Sequence, residues 1–299
     1  MLTREKFKGI FCLMPTPYTR EGKFDEETFR ENVRIMCENG VHGISTTGTV
    51  GEFHTLPWED HKRLIKALVD EISSNVFSVP GCSGVSTQEA IMKTKYAQEC
   101  GADAVMNVVP FYQKLTDNEC VVYHEELAKA CPKIGLVVYN NPDTAKVLLG
   151  REVFEKLARI PTVCGSKEIV PDFEHWMNIT RVPELSFLHV DLMMVPSMMW
   201  GGKGNFSGMV CMKPELVLDA YKACLNGDWA RAKELQYKMR EPWALVEPLL
   251  RGYSPISTYK CMVNAFGLLK VGPPGKPFIP VPEETQEKIK RIIREKFLP

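Results

Sequence analysis

Paired-cysteine chemistry is missing from this sequence. Its 10 cysteines are scattered singly, and no two of them form a Cys-x-x-Cys pair. A zinc site needs Cys and His clustered at short spacing, and the 6 histidines are dispersed as well. Cys82, Cys164 and Cys211 lie in apolar, strand-like runs, the pattern of reduced, buried thiols in a cytosolic protein. Charge of one sign is also missing. With 37 basic and 37 acidic side chains the formal net charge is zero, which leaves no electrostatic footprint for nucleic acid or an anionic membrane. No apolar run approaches the roughly 20 residues needed to span a bilayer. The opening Met1–Lys8 has no apolar signal core before Gly9, so a cytoplasmic location is expected. There is no internal repeat and no low-complexity tract. No Gly-x-Gly-x-x-Gly fingerprint follows the first strand pattern, where Pro15-Thr16-Pro17 stands instead. That absence counts against an open, doubly wound dinucleotide-binding sheet.

What is present is alternation. The chain has 299 residues and 44% hydrophobic content, enough for one large core. Strand patterns cover Gly9–Thr16, Gly43–Thr47, Val76–Cys82, Ala104–Val109, Ile134–Tyr139, Thr162–Ser166, Leu185–His189 and Gly204–Val210. Helical stretches follow each of them: amphipathic Glu26–Glu38, Trp58–Ile72, Thr87–Glu99, Asp117–Ala130, Arg151–Arg159 and Phe173–Ile179, a short apolar piece Leu192–Trp200, and Pro214–Asn226. Ile134–Tyr139 is apolar throughout, which suits a parallel strand buried on both faces. Eight strands alternating with eight helices predict a (β/α)8 barrel over residues 1–226. After Asn226 the alternation stops. Asp228–Leu250, Pro255–Leu268 and Pro282–Phe297 read as a helical extension over 227–299, with Pro242 bending or dividing the first helix. The proline-rich segment 271–281 reads as an extended linker.

In such a barrel the chemistry lies at the C-terminal ends of the strands. Lys167 and Glu168 follow strand six, just before a turn signal at Pro171–Asp172. An amine in a water-poor barrel mouth can condense with a keto group, and the iminium then acts as an electron sink. The alternative is a lysine ion-paired to Glu168. Tyr139 ends strand five, where a phenol could move a proton or cap the barrel with its hydroxyl on backbone. Thr46–Glu52 is rich in glycine and hydroxyls and can aim N–H groups at a carboxylate. Trp200–Asn205 invites the same reading for an anion. Each loop alone is also a plain tight turn.

Taken in order, Gly48-Thr49-Val50-Gly51-Glu52, Tyr139-Asn140-Asn141-Pro142 and Gly165-Ser166-Lys167-Glu168 resemble the dihydrodipicolinate synthase / N-acetylneuraminate lyase family. Gly9–Tyr18 and Gly201–Ser207 are similar to it as well, so the likeness spans essentially the whole chain. The resemblance implies a (β/α)8 barrel with helical extension, assembled as a homotetramer or dimer. It implies a metal-independent lyase with no cofactor beyond a lysine Schiff base. Pyruvate and an aldehyde would be the small-molecule partners. Lys167 would form the imine, Tyr139 would transfer the proton, and Thr49 would join the hydroxyl relay. Thr49, Gly48, Val50, Phe206 and Trp200 would contact substrate. Tyr112 would match the aromatic that reaches a neighbouring subunit's site.

Two departures narrow the reading. The family's second hydroxyl, after the position of Thr49, is here Val50. The synthases' arginine, two residues beyond the proline of the tyrosine motif, is here Thr144. Exchanging a bidentate cation for a hydroxyl is not conservative. It favours the branch of hydratase-aldolases that cleave substituted pyruvates over dihydrodipicolinate synthesis. Val105–Asn107 and the Met- and Trp-rich Met193–Trp200 look similar to that branch. Dihydrodipicolinate synthase itself is the runner-up, and a sugar-acid dehydratase and a non-catalytic keto-acid-binding barrel are the remaining alternatives.

Overall fold

The computed structural model describes residues 1–170 and 172–298. The proline of the turn expected at Pro171–Asp172, and the last residue of the extension, lie outside them. Eight parallel strands form one sheet: β1 Gly9–Leu13, β2 Gly43–Thr46, β3 Phe77–Pro80, β4 Ala104–Asn107, β5 Gly135–Asn140, β6 Val163–Glu168, β7 Ser186–Val190 and β8 Gly204–Ser207. The order is β3-β2-β1-β8-β7-β6-β5-β4. A parallel bridge between Gly81 and Met106 brings the two ends together, so the sheet curls into a nearly closed (β/α)8 barrel.

Helices alternate with the strands: α1 Glu26–Glu38, α2 Trp58–Glu71, α3 Thr87–Cys100, α4 Asp117–Ala130, α5 Pro142–Ala145, α6 Arg151–Leu157, α7 Phe173–Ile179, α8 Met194–Met199 and α9 Pro214–Leu225. Their ends are written locally. Asp25 caps α1 by accepting the Thr28 N–H, and Phe29, Val33 and Met36 form its buried stripe. Thr116 and Glu119 cap α4 reciprocally. The short α5 was not expected; Pro142 starts it and Asn141 caps it through Thr144 N–H.

Several strand ends differ from the sequence expectation for physical reasons. β1 stops at Leu13 because Pro15 and Pro17 bring no N–H to the ladder. β8 stops at Ser207 rather than Val210. The Asp191 carboxylate takes the N–H groups of Gly208 and Met209 at 2.8 and 2.9 Å, and the chain turns into a short 3-10 segment, Met209–Cys211. β6 ends two residues later than expected, because Lys167 and Glu168 stay in the ladder. The register between β5 and β6 shifts at Leu136/Val137. Gly165 has no room for a side chain, since a Cβ there would meet the Ser186 carbonyl on β7.

The extension comprises α10 Trp229–Leu250, α11 Pro255–Phe266 and α12 Glu283–Phe297. Pro242 does not divide α10. It belongs to that helix's buried stripe with Leu235, Met239 and Val246, and burial of that face holds the helix across the missing hydrogen bond. One apolar cluster joins Ile10, Val33, Leu64 and Val217 of the barrel with Met239, Val263 and Ile289 of the extension. Among the described residues no helix is long and apolar enough to cross a membrane.

Candidate active site

β5 and β6 end side by side, with Tyr139 opposite Lys167 and Asn140 opposite Glu168. Alternation then sends the two pairs to opposite faces. Glu168 is fully buried and occupied: it accepts from Ser166 Oγ at 2.5 Å and Asn140 Nδ2 at 2.9 Å, with His175 Nε2 at 3.3 Å. Asn140 also exchanges hydrogen bonds with the Leu149 backbone in both directions at 3.0 Å. Glu168 is therefore not a partner of Lys167. Among the described residues Lys167 Nζ makes no ion pair and no hydrogen bond. Its amine lies over aromatic faces, 3.9 Å from the Tyr139 ring centroid and 5.5 Å from that of Phe206. Lys167 is 3% exposed and Tyr139 7%.

The loop after β2 approaches this amine's neighbour. Thr49 Oγ1 lies 3.3 Å from the Tyr139 hydroxyl. The loop is tightly wound: Thr47 and Glu52 take left-handed backbone angles, φ 46 and 56. Glu52 N–H donates to the Thr49 carbonyl at 3.1 Å. Thr16 Oγ1 holds the Gly51 carbonyl at 2.6 Å, and Thr47 exchanges bonds with Gly81, just after β3, at 2.9 Å. Gly48 sits above Met106, whose Cε would lie 3.0 Å from a Cβ at that position. Gly51 must be glycine, because a Cβ would run into the Thr47 backbone. The half-buried Val50 packs against the cluster shared by barrel and extension.

The fold thus brings Lys167, Tyr139, Thr49, Gly48 and Phe206 to one mouth, and leaves two expected residues outside it. Trp200 is 53% exposed, packs edge-on against Phe173 of α7 at 5.4 Å, and accepts the Trp176 indole N–H on its carbonyl. It ends α8, and a helix feeds the N-terminal end of the next strand, away from the catalytic face. The same correction applies to Gly201–Lys203. Of the Met193–Trp200 segment, Met194 and Val195 are buried in the core and Met199 is half exposed, so it does not line the mouth. Tyr112 is 76% exposed. The Lys146 amine donates to its carbonyl at 2.7 Å and lies 6.0 Å from its ring centroid. Thr144 is engaged within its own turn, where Asn141 Nδ2 donates to its hydroxyl at 3.0 Å.

Two acids, the half-buried Asp191 and the buried Glu52, escaped the sequence reading. Asp191, at the end of β7, binds Asn205 Nδ2 at 2.8 Å besides the amides that end β8, and burial raises its pKa. Glu52 lies 2.6 Å from Lys260 of α11. Burial raises the Glu52 pKa and lowers that of Lys260 to about 8, outweighing their mutual attraction. The only sequence signal for Glu52 was its place at the end of the Gly48–Glu52 motif. A cleft of about 720 Å³ lies beside this pair, lined by Tyr18, Asn264, Pro273 and Lys260. Among the described residues no group of three His, Cys, Asp or Glu side chains is placed to hold a metal ion.

The model of the dihydrodipicolinate synthetase family matches residues 6–296. The 4-hydroxy-tetrahydrodipicolinate synthase of Methanopyrus kandleri is 33% identical over 297 residues, covering 97% of this chain and 96% of its own. That of Thermus thermophilus is 30% identical over 292 residues, covering 96% and 95%. Among solved structures, dihydrodipicolinate synthase from Aquifex aeolicus superposes with a TM-score of 0.88 at 26% identity, covering 98% of this chain and 99% of its own. The chain belongs to the dihydrodipicolinate synthetase family, whose members are pyruvate-dependent class I aldolases and lyases.

Proposed function

We propose that Lys167 forms an imine with the keto group of pyruvate or a substituted pyruvate, and that the enzyme makes or breaks a carbon–carbon bond to an aldehyde. The observation that carries this reading is Lys167 itself: a buried amine with no acidic partner among the described residues, opposite a tyrosine whose hydroxyl lies 3.3 Å from Thr49. Nζ attacks the keto carbon, and the carbinolamine loses water to give the iminium. In the cleavage direction Tyr139 takes the proton of the substrate's 4-hydroxyl. The C3–C4 bond breaks, its electrons enter the iminium to leave an enamine, and the aldehyde departs. Protonation at C3 and hydrolysis return pyruvate and the free amine. Thr49 and the backbone of Gly48 and Val50 receive the keto acid's carboxylate, and Phe206 walls the amine from water. Tyr112 projects toward the site of a neighbouring copy in a homo-oligomer. The working location is the cytoplasm.

The preferred second substrate is an aldehyde without a carboxylate of its own, as in a hydratase-aldolase. Support comes from the turn at 141–146, where Thr144 is bonded to Asn141 and the Lys146 amine is turned to the Tyr112 carbonyl. Neither presents the fork that a second carboxylate would use. The second reading is 4-hydroxy-tetrahydrodipicolinate synthase, favoured by the curated relatives that carry that name. Borohydride reduction in the presence of pyruvate tests the first step. An adduct confined to the Lys167 peptide is expected, and an unmodified chain would end the proposal. Turnover of pyruvate with aspartate semialdehyde against apolar and aromatic aldehydes then decides between the two substrates.

A further inference from the structure

Glu52 closes the loop that carries Gly48 and Thr49, and its carboxylate points away from the mouth. One oxygen lies 2.6 Å from Lys260 Nζ on α11, and the other accepts the Gly275 N–H at 2.6 Å. The two side chains are 0% and 1% exposed. Lys260 also donates to the Pro273 carbonyl at 2.8 Å, and its amine lies 4.5 Å from the Tyr18 ring centroid. The Tyr18 hydroxyl is 2.7 Å from Thr55 Oγ1, which donates to the Glu52 carbonyl at 2.9 Å. The extension, the proline-rich segment and the β1 loop thus converge on one residue of the keto-acid loop.

Stability alone is a poor reason for such a pair. Taking two charges out of water costs much of what their attraction returns, and an apolar pair of the same shape would often serve as well. What the pair supplies is placement. The Glu52 N–H donates to the Thr49 carbonyl, and Glu52 holds a left-handed backbone angle, so a displaced Glu52 side chain moves Thr49 with it. We propose that the Glu52–Lys260 ion pair positions the carboxylate-receiving loop, so that the helical extension sets the enzyme's affinity for its keto acid. This inference rests on assigning that loop to the keto-acid carboxylate.

The test is a pyruvate titration of borohydride trapping on the full-length enzyme. The half-saturating pyruvate concentration does not depend on how much protein is folded. For Lys260→Met and for Glu52→Gln it should rise about 10- to 100-fold, the scale expected when a binding loop is displaced by a fraction of its length. In steady-state assays KM should rise by more than kcat falls. Lys260→Arg, which keeps the charge, should move the midpoint back toward wild type. A midpoint unchanged in Glu52→Gln or Lys260→Met, with only the trapped fraction or the melting temperature reduced, would overturn the inference and leave the pair purely structural. Should Lys260→Met yield no folded protein, Glu52→Gln decides by the same midpoint. Absence of a Lys167 adduct in the wild type would instead sink the Schiff-base reading, a distinct outcome.

Discussion

Tyr139 and Lys167 are direct partners in the β5–β6 ladder, and the lysine amine sits 3.9 Å from the centroid of the tyrosine ring. Two residues far apart in the chain thereby share one face, while Asn140 and Glu168, one position on, are tied together on the other. The outward pair anchors the strand ends that present the inward pair.

The proposed roles of these two residues, imine formation and proton transfer, can be tested apart. Lys167→Met should abolish both the borohydride adduct and turnover. Tyr139→Phe should keep a trappable amine while kcat falls about 10²–10⁴-fold, the range for a lost general acid–base group. Thr49→Val removes the hydroxyl 3.3 Å from Tyr139, and should cost about five- to tenfold in kcat/KM, the worth of one hydrogen bond. Mass spectrometry of the trapped peptide and steady-state rates check all three. A Tyr139→Phe enzyme with unchanged kcat would remove the tyrosine from the mechanism.

Substrate choice is expected to turn on position 144. Thr144→Arg introduces a guanidinium in the turn where the synthases carry one. It should raise the ratio of kcat/KM for aspartate semialdehyde over an uncharged aldehyde by about tenfold or more, the value of a charge-assisted hydrogen bond. Paired assays on the two aldehydes measure that ratio. Wild-type preference for aspartate semialdehyde would return the enzyme to the synthase reading.

Acid should weaken the fold through three buried histidines. His61, His124 and His189 bind the carbonyls of Gly81, Cys120 and Val170 at 3.0, 2.7 and 3.0 Å. Burial lowers each from its ordinary 6.5 to about 4. Between those values the unfolded chain binds protons that the folded chain refuses. Stability is therefore fully present above pH 6.5 and is lost as pH falls toward 4. Each histidine contributes up to about 3 kcal/mol of that loss. Urea midpoints taken from about pH 7 down to about pH 4.5 should fall, and more shallowly in His124→Gln. A flat profile in the wild type would contradict the burial of these rings.

Close approach of β6 and β7 makes Gly165 the position least tolerant of a methyl group. Gly165→Ala would place its Cβ against the Ser186 carbonyl, and should cost about 1–3 kcal/mol of stability, the usual range for overpacking. It should also lower the trapped fraction, because Lys167 lies two residues along the same strand. A urea midpoint equal to wild type would show that the two strands have slack there.

The barrel was legible in the sequence because its signals are local. A run such as Gly135–Asn140 states burial on both faces, and Asp25 or Thr116 marks a helix start within one turn of itself. The order of the strand-end motifs pointed to Lys167, Tyr139 and Thr49 together with the family to which the chain belongs. Local patterns mistook the end of the barrel at which Trp200 sits, and its aromatic character suggested a substrate wall that the outer helical layer takes instead. They also could not show that Glu168 is spent on Asn140 and Ser166, which leaves the Lys167 amine without an acid among the described residues. The Glu52–Lys260 pair was hidden for a related reason. Its partners meet only after the barrel has closed and the extension has docked on it. Composition and periodicity determined which elements form and which strand ends hold the candidate site residues. Which charges meet, and which amine stays free, was decided by tertiary packing, because charge pairing depends on distance in space and not on separation along the chain.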